Sequence, residues 1–450
     1  RKVEARYSPE MLIRVIIYGT MNGIRSYRDL ERACREQLPY RWLSGNLTPD
    51  HNTFWRCYDR YRGVFAVLFE ASVKWAVTAR VLDLRLQAVD GTKLHANASQ
   101  DAMKTAETLA AIERWTLAAI AELEAQEGEP AEGIRAETGL RTQQERLERV
   151  RRAQEVLAAD EAKREPRSRQ RPLKGNVTDP DARSMKARGV TTPRYNAQAG
   201  VMGLTDDPAG TEPPGVRVPL IVAGGVRTRA DDHGMLPELI EETLATTGQR
   251  PETILADAGY YSGADLVACD DQGVTIVMPE PDNAQTPDGP YGNSAFSYDS
   301  ASGQMTCPEG HQLTRWKMSA SDPVTIRFGM KKHVCDACPM KAACCPTTKR
   351  GRIVSRHIHA ERQAEHRAFM ATEAAETLRR HRSGMIEGVF GIIKARMGVR
   401  QLRCRGRARV RAEWNQIKLG FNLRSLVAVA QGRLGTEAAA RVRLAIGMAV

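Results

Sequence analysis

The sequence predicts a mixed α/β protein: a sheet core preceded by helices and interrupted twice by inserted segments. Three observations carry this reading. Short apolar runs alternate with amphipathic helical stretches between 195 and 278. A charged helical segment separates these runs from an earlier strand at 84–90. A stretch rich in Gly, Pro, Ser and Cys, 279–354, then separates them from helices that reach Leu426.

The elements follow in order. Ser8, Pro9 and Glu10 provide an N-cap, a first-turn proline and an acid, and Leu12, Val15, Ile16 and Gly19 share one face until Asn22-Gly23. Ser26 caps a second helix with Leu30 and Cys34 on its apolar side. Thr48-Pro49-Asp50 opens a third, in which Phe54, Trp55, Tyr58 and Tyr61 lie among Arg56, Arg60 and Arg62. Short helices with a basic aromatic face fit a helix-turn-helix-like DNA-binding module, and equally a plain helical bundle. LRLQAVD (84–90) alternates like a strand and is expected to end at Gly91. Leu109, Ile112, Ile120 and Leu123, then Leu140, Leu147, Val150 and Leu157, predict a helical hairpin turning near Gly128-Glu129-Pro130. Residues 165–180 read as a linker. Strands are expected at 195–204, 218–226, 253–257 and 274–278, and helices at 235–246, 262–271, 359–382 and 385–397.

A formal net charge of +12 over 450 residues favours a polyanionic partner. No run of about 18 apolar residues spans a bilayer, and no export signal is visible, so a cytoplasmic location and no membrane partner are expected. Five of the nine cysteines fall between Cys307 and Cys345. In a reducing compartment such clustering points to metal rather than to disulfides.

Three acids sit where a nuclease core of this class needs them. Asp90 ends the first strand in VDGTKL, Asp257 ends a later one in ILADAGYYS, and Glu387 begins a late helix in IEGVFGIIK. Strand ends at one sheet edge, crossed by a helix, can gather three carboxylates around two Mg²⁺ or Mn²⁺ ions ~4 Å apart. Any one of them alone would read as a turn residue.

The segments NGIRSYRDLERA, RWLSGNLTPDH, VDGTKLHANAS, DPDARSMK, LADAGYYS and IEGVFGIIKARMG through AEWNQIKLGFNLRSL resemble DDE transposases of bacterial insertion sequences. The resemblance implies an RNase H-like (retroviral-integrase) catalytic fold, with Asp90, Asp257 and Glu387 as the carboxylates. It also implies a Y-x2-R-x3-E-x6-K signature, of which Glu387 and Lys394 fit the second half. Arg380 and Ser383 stand where the Tyr and Arg would be, so Arg382, one residue away, is expected to supply the phosphate contact. Lys394 lies about two helical turns beyond Glu387, on the same face.

Arg396, Arg400, Arg403, Arg405, Arg407, Arg409 and Arg411 form a run dense enough to neutralise DNA phosphates. The bland alternative is a solvated charged face. Cys307, Cys335, Cys338 and Cys344 are the expected ligands of a structural Zn²⁺, with His311 and Cys345 as substitutes; otherwise they are loop thiols. Cys34, Cys57, Cys269 and Cys404 read as isolated thiols.

The expected organisation is a helical DNA-binding domain (1–80), an RNase H-like core in parts (81–102 and 181–278), and a helical-hairpin insertion with linker (103–180). A Cys-rich insertion (279–358), Glu-bearing helices with a basic part (359–430) and a tail (431–450) complete it. The expected activity is metal-dependent cleavage at element ends and strand transfer into target DNA, by a homodimer on DNA. A decayed or repurposed DNA-binding relative is the rival reading, and an RNA-processing nuclease a weaker third.

Overall fold

The computed structural model describes residues 7–125, 130–162, 172–187, 189–208, 218–281, 291–316, 318, 323–346 and 351–447. Five helices open the chain: α1 (Pro9–Met21), α2 (Tyr27–Glu36), α3 (Leu38–Leu43), α4 (His51–Tyr61) and α5 (Val64–Thr78). Two carry the side-chain caps their sequences suggest. Ser26 accepts from the amide of Asp29, and Asp50 from that of Thr53 at 2.8 Å, satisfying amides that the first turn leaves without partners. Val15, Ile16, Leu30, Phe54, Tyr58, Phe65 and Val73 are buried together, joining these helices to the main core.

The sheet contains β1 (Leu82–His95), and the segment after it holds β2 (Met103–Lys104), α6 (Ala106–Glu124), α7 (Pro130–Ala162) and β3 (Gly175–Asn176). Leu109, Ile112, Val150, Ala153 and Leu157 pack α6 on α7 in a small cluster of their own. The turn at Gly128-Glu129 and the start of the linker, 165–171, lie outside the described residues. Then come β4 (Arg183–Ala187), β5 (Val190–Leu204), β6 (Val218–Ala223), β7 (Val226–Arg227), α8 (Leu236–Thr247), β8 (Thr253–Leu255), α9 (Gly263–Asp271) and β9 (Thr275–Val277). Seven strands make one sheet in the order β4-β5-β1-β8-β9, with β6 and β7 also pairing β5. β1 is antiparallel to β5 and parallel to β8, so the sheet is mixed.

One expectation fails here. The first strand does not end at Gly91: β1 runs on to His95, because β5 supplies ladder partners throughout, Asp90 opposite Ala199 and His95 opposite Arg194. Asp90 therefore lies within a strand. Asp257, by contrast, lies two residues beyond β8 and caps a short 3₁₀ turn, Ala258–Tyr260.

The Cys-rich segment is a second sheet, β10 (Ser297–Asp299), β11 (Gln304–Thr306), β12 (Gln312–Arg315), β13 (Thr325–Gly329) and β14 (Ile353–His357), with short helices α10 (Lys332–Asp336) and α11 (Lys341–Cys344). Turn-rich as it is, this segment buries a core of its own made of Phe296, Met305, Leu313, Ile326, Phe328 and Val354. α12 (Ala360–Met370), α13 (Glu373–Ala395), α14 (Arg407–Ala430) and α15 (Thr436–Ala445) follow. The break expected after Arg382 falls earlier, where Thr372 caps α13 through the amide of Ala375, so Glu387 sits well inside this helix. Ser383 and Gly384 are accommodated without a stop. Among the described residues no helix is long and apolar enough to cross a membrane.

α14 locks the parts together through buried polar bonds rather than apolar contact alone. The Asn422 side-chain amide accepts from the backbone N–H of Ile221 (2.9 Å) and donates to its carbonyl (2.8 Å), completing an edge of β6 like another strand. Trp414 donates to the carbonyl of Gln198 at 3.1 Å. Asp179 and Asp181 accept from the first amides of α14, those of Gly406 and Arg407, where a helix N-terminus favours carboxylates. Much of the DPDARSMK and AEWNQIKLGFNLRSL segments is thus scaffold.

Candidate active site

Two of the three expected acids come together. The Arg382 guanidinium, reaching across from α13, lies 3.6 Å from a carboxylate oxygen of Asp90 and 3.6 Å from one of Asp257. The parallel pairing of β1 with β8 brings the two acids side by side, and α13 packs across both strands. Asp90 is three-quarters buried. Burial, helped by the neighbouring Asp257 and Asp232, pushes its carboxyl up to about 6 against the opposing pull of Arg382 and the Gly91 amide. Asp257 is more open and accepts from the amide of Gly259 at 2.9 Å.

Sequence reasoning missed a third acid. Asp232, in the loop between β7 and α8, accepts from the Asn196 side chain at 2.7 Å and from the Gln198 side chain at 2.6 Å, both on β5. Gln198 in turn accepts from the hydroxyl of the buried Tyr260. Burial, then the three aspartates, push that hydroxyl well above its usual range, so Tyr260 stays a donor. The signal was present: Arg194, Asn196 and Gln198 alternate in a strand whose following residues are mostly apolar, and buried polar groups at that spacing need partners.

Glu387 is exposed on α13, five residues past Arg382, and is not drawn into contact with the aspartates. No three Asp, Glu, His or Cys side chains among the described residues stand close enough to hold a metal ion by themselves. The Asp90–Asp257 pair nevertheless fits a hard cation. Its oxygens already flank one positive group, and Mg²⁺ is commonly held by one or two carboxylates completed by water and phosphate oxygens.

Beside this pair runs an open cleft lined by Lys93, His95, Lys186, Arg194, Lys394 and Arg400. Lys394 also lies over the Phe390 ring. The arginine run is only partly free. Arg405 donates to the carbonyl of Asn97 at 2.9 Å, Arg409 pairs with Asp59 at 2.9 Å, and Arg403 lies over the Tyr27 ring. Arg396 and Arg400 are exposed.

Far along the chain, Cys307, His311, Cys335, Cys338, Cys344 and Cys345 line one small cavity. Cys345 is buried and contacts the thiols of both Cys335 and Cys344. Backbone amides of His311 and Arg352 donate to the sulfurs of Cys307 (3.3 Å) and Cys335 (3.4 Å). Cys34, Cys57, Cys269 and Cys404 are buried and separate from this group.

Two family models match the chain. One, described as a transposase DDE domain, spans residues 306–427 and so includes Arg382, Glu387 and Lys394 but neither Asp90 nor Asp257. The other, described as a transposase domain (DUF772), spans residues 4–60. No curated protein and no solved structure matches the chain.

Proposed function

We propose that this chain, which matches transposase domains over its N-terminal helices and again from the cysteine-rich sheet to α14, is a DDE transposase with an RNase H-like core. On this reading it cleaves DNA at the ends of an insertion sequence and joins those ends to target DNA. One observation carries the reading: Asp90, on β1, and Asp257, just past the neighbouring β8, converge on an arginine of the same helix that bears Glu387.

Asp90 and Asp257 would hold the cation, and Glu387, on the helix that carries Arg382, would serve as a third ligand. Two Mg²⁺ or Mn²⁺ ions would supply Lewis-acid stabilisation of the leaving oxygen and a more acidic nucleophile. Arg382 bridges the aspartates in the metal-free chain and would be placed to bind a phosphate oxygen beside a cation held there. Lys394, Arg396 and Arg400 line the path of the strand, and Arg403 and Arg405 extend it; such contacts position DNA rather than read it. The protein acts in the cytoplasm as a homodimer that pairs two element ends. The test is nicking of a plasmid carrying those ends: Mg²⁺-dependent cuts at the element boundary are expected, and their absence under conditions of tight end binding would refute the proposal. Glu387 standing apart from the aspartates favours the second reading, a DNA-binding protein without catalysis, which that same outcome would select.

Replacing Arg400, Arg403 and Arg405 together with Ala is expected to flatten the salt dependence of DNA binding. Every phosphate that is no longer neutralised lowers the log–log slope by ~0.9. Binding measured across a salt series checks this, and an unchanged slope would leave the run as solvated surface.

A structural Zn²⁺ on Cys307, Cys335, Cys338 and Cys344 is proposed for the second sheet. The shared cavity and the amide-to-sulfur bonds support it, since such bonds steady thiolate ligands; the four sulfurs do not stand at ligand distance in the metal-free chain, so zinc would have to draw them together. Elemental analysis of protein purified without chelator is expected to find about one zinc per chain, as a single four-coordinate site requires. The metal should be absent from a Cys335→Ser/Cys338→Ser variant; zinc-free protein, or retention by the variant, would reduce the cluster to thiols.

A further inference from the structure

The amide clamp on Asp232 satisfies two buried side chains of β5 and also fixes where its charge lies. One carboxylate oxygen takes both side-chain amides of Asn196 and Gln198, which fixes the group on β5. The other oxygen is turned toward Gly259, next to Asp257: a Cβ at Gly259 would stand 3.0 Å from an Asp257 oxygen and 3.4 Å from the second Asp232 oxygen. On the β1 side, a Cβ at Gly91 would meet the first Asp232 oxygen at 3.0 Å and the Gln198 amide at 2.3 Å. Two glycines therefore keep clear the space through which this carboxylate reaches the residues flanking Asp90 and Asp257. Holding a third anion there costs repulsion from Asp257; the guanidinium of Arg382 bridges the other two acids, and the Lys93 charge acts on Asp232.

We infer that Asp232 is a positioning residue for the cation site: fixed by Asn196 and Gln198, it backs the Asp90–Asp257 pair with a third negative charge and so strengthens its hold on a divalent cation. The inference rests on the reading of Asp90 and Asp257 as cation ligands. The Tyr260–Gln198–Asp232 chain then belongs to the site, with Tyr260 fixing Gln198 so that its amide stays aimed at Asp232.

The experiment is calorimetric titration of Mn²⁺ into the full chain without DNA, with thermal melting run alongside. Asp232→Asn keeps an oxygen for the two amides and removes only the charge. It is expected to melt like the wild type and to bind Mn²⁺ at least about tenfold more weakly, the loss typical of groups that orient or polarise metal ligands. Asp232→Glu, which restores the charge, should recover most of the affinity. If Asp232→Asn melts early, Asp232→Ser, whose hydroxyl still accepts an amide, is judged by the same tenfold criterion. Asp90→Asn separates the two levels of the reading. Loss of Mn²⁺ in Asp90→Asn with wild-type affinity in the Asp232 variants overturns this inference alone. Wild-type affinity in Asp90→Asn overturns the cation site and the inference with it.

Discussion

Asp90→Asn, Asp257→Asn and Glu387→Gln are each expected to lower Mg²⁺-dependent cleavage by well over about a hundredfold while leaving end binding intact. The scale follows from metal chemistry: even groups that merely orient ligands contribute 10–100-fold, and a direct ligand contributes more. Binding should survive because the basic cleft owes its charge to Lys93, Lys186, Arg194, Lys394 and Arg400, none of which these changes touch. Glu387 is the discriminating position, since it stands apart from the aspartates in the free chain. Near wild-type cleavage by Glu387→Gln would remove it from the set and leave a two-carboxylate site. The measurement is single-turnover nicking with end binding assayed in parallel.

The second large effect is on stability, and its sign is opposite to that of most active-site changes. Burial raises the Asp90 carboxyl from its usual 3.8 to about 6. A raised acid favours the folded chain fully below the unfolded value and loses that contribution as pH rises through the folded one. Metal-free wild type should therefore lose stability between about pH 4 and 6 relative to Asp90→Asn, which carries no such group. At ~1.4 kcal/mol per pH unit the variant should be about 2–3 kcal/mol more stable at pH 7, the two converging below pH 4. Added Mg²⁺ should narrow the gap by stabilising only the wild type. Denaturant unfolding at pH 4 and 7 checks this, and equal stability at pH 7 would show that Asp90 carries no such penalty.

What the sequence revealed and what it hid divide along a physical line. The meeting of Asp90 with Asp257 was legible only from the acids taken together and from the segments VDGTKLHANAS and LADAGYYS that resemble a family, since each acid by itself reads as a turn residue. The extension of β1 to His95 was not, because its partners on β5 lie about a hundred residues away and no local signal overrides Gly91. Asp232 was hidden for the same reason: an acid in a loop looks solvated until Asn196 and Gln198 are seen facing it. The apolar residues of the second sheet, Phe296, Met305, Leu313, Ile326, Phe328 and Val354, are spread singly among turn formers, so their union into a core shows only in three dimensions. The boundary between the last helices before Met397 was placed at Ser383-Gly384, which only resembles a break; the N-cap that the structure uses is Thr372.

Glu413 of α14 takes Arg25 from the N-terminal helices on one side and the backbone amides of Arg403 and Cys404 on the other. It is buried, so neither tie exchanges easily with water. The helices that open the chain and the arginine-rich loop that follows α13 are thus tied to each other, and the loop is bonded to the end of β1, the strand bearing Asp90. A duplex gripped by these two regions would meet the carboxylates at a set number of base pairs from the grip. If the chain cuts DNA as proposed, the buried carboxylate would act as the joint of a ruler, and Glu413→Gln would be expected to blur where DNA is cut rather than how fast.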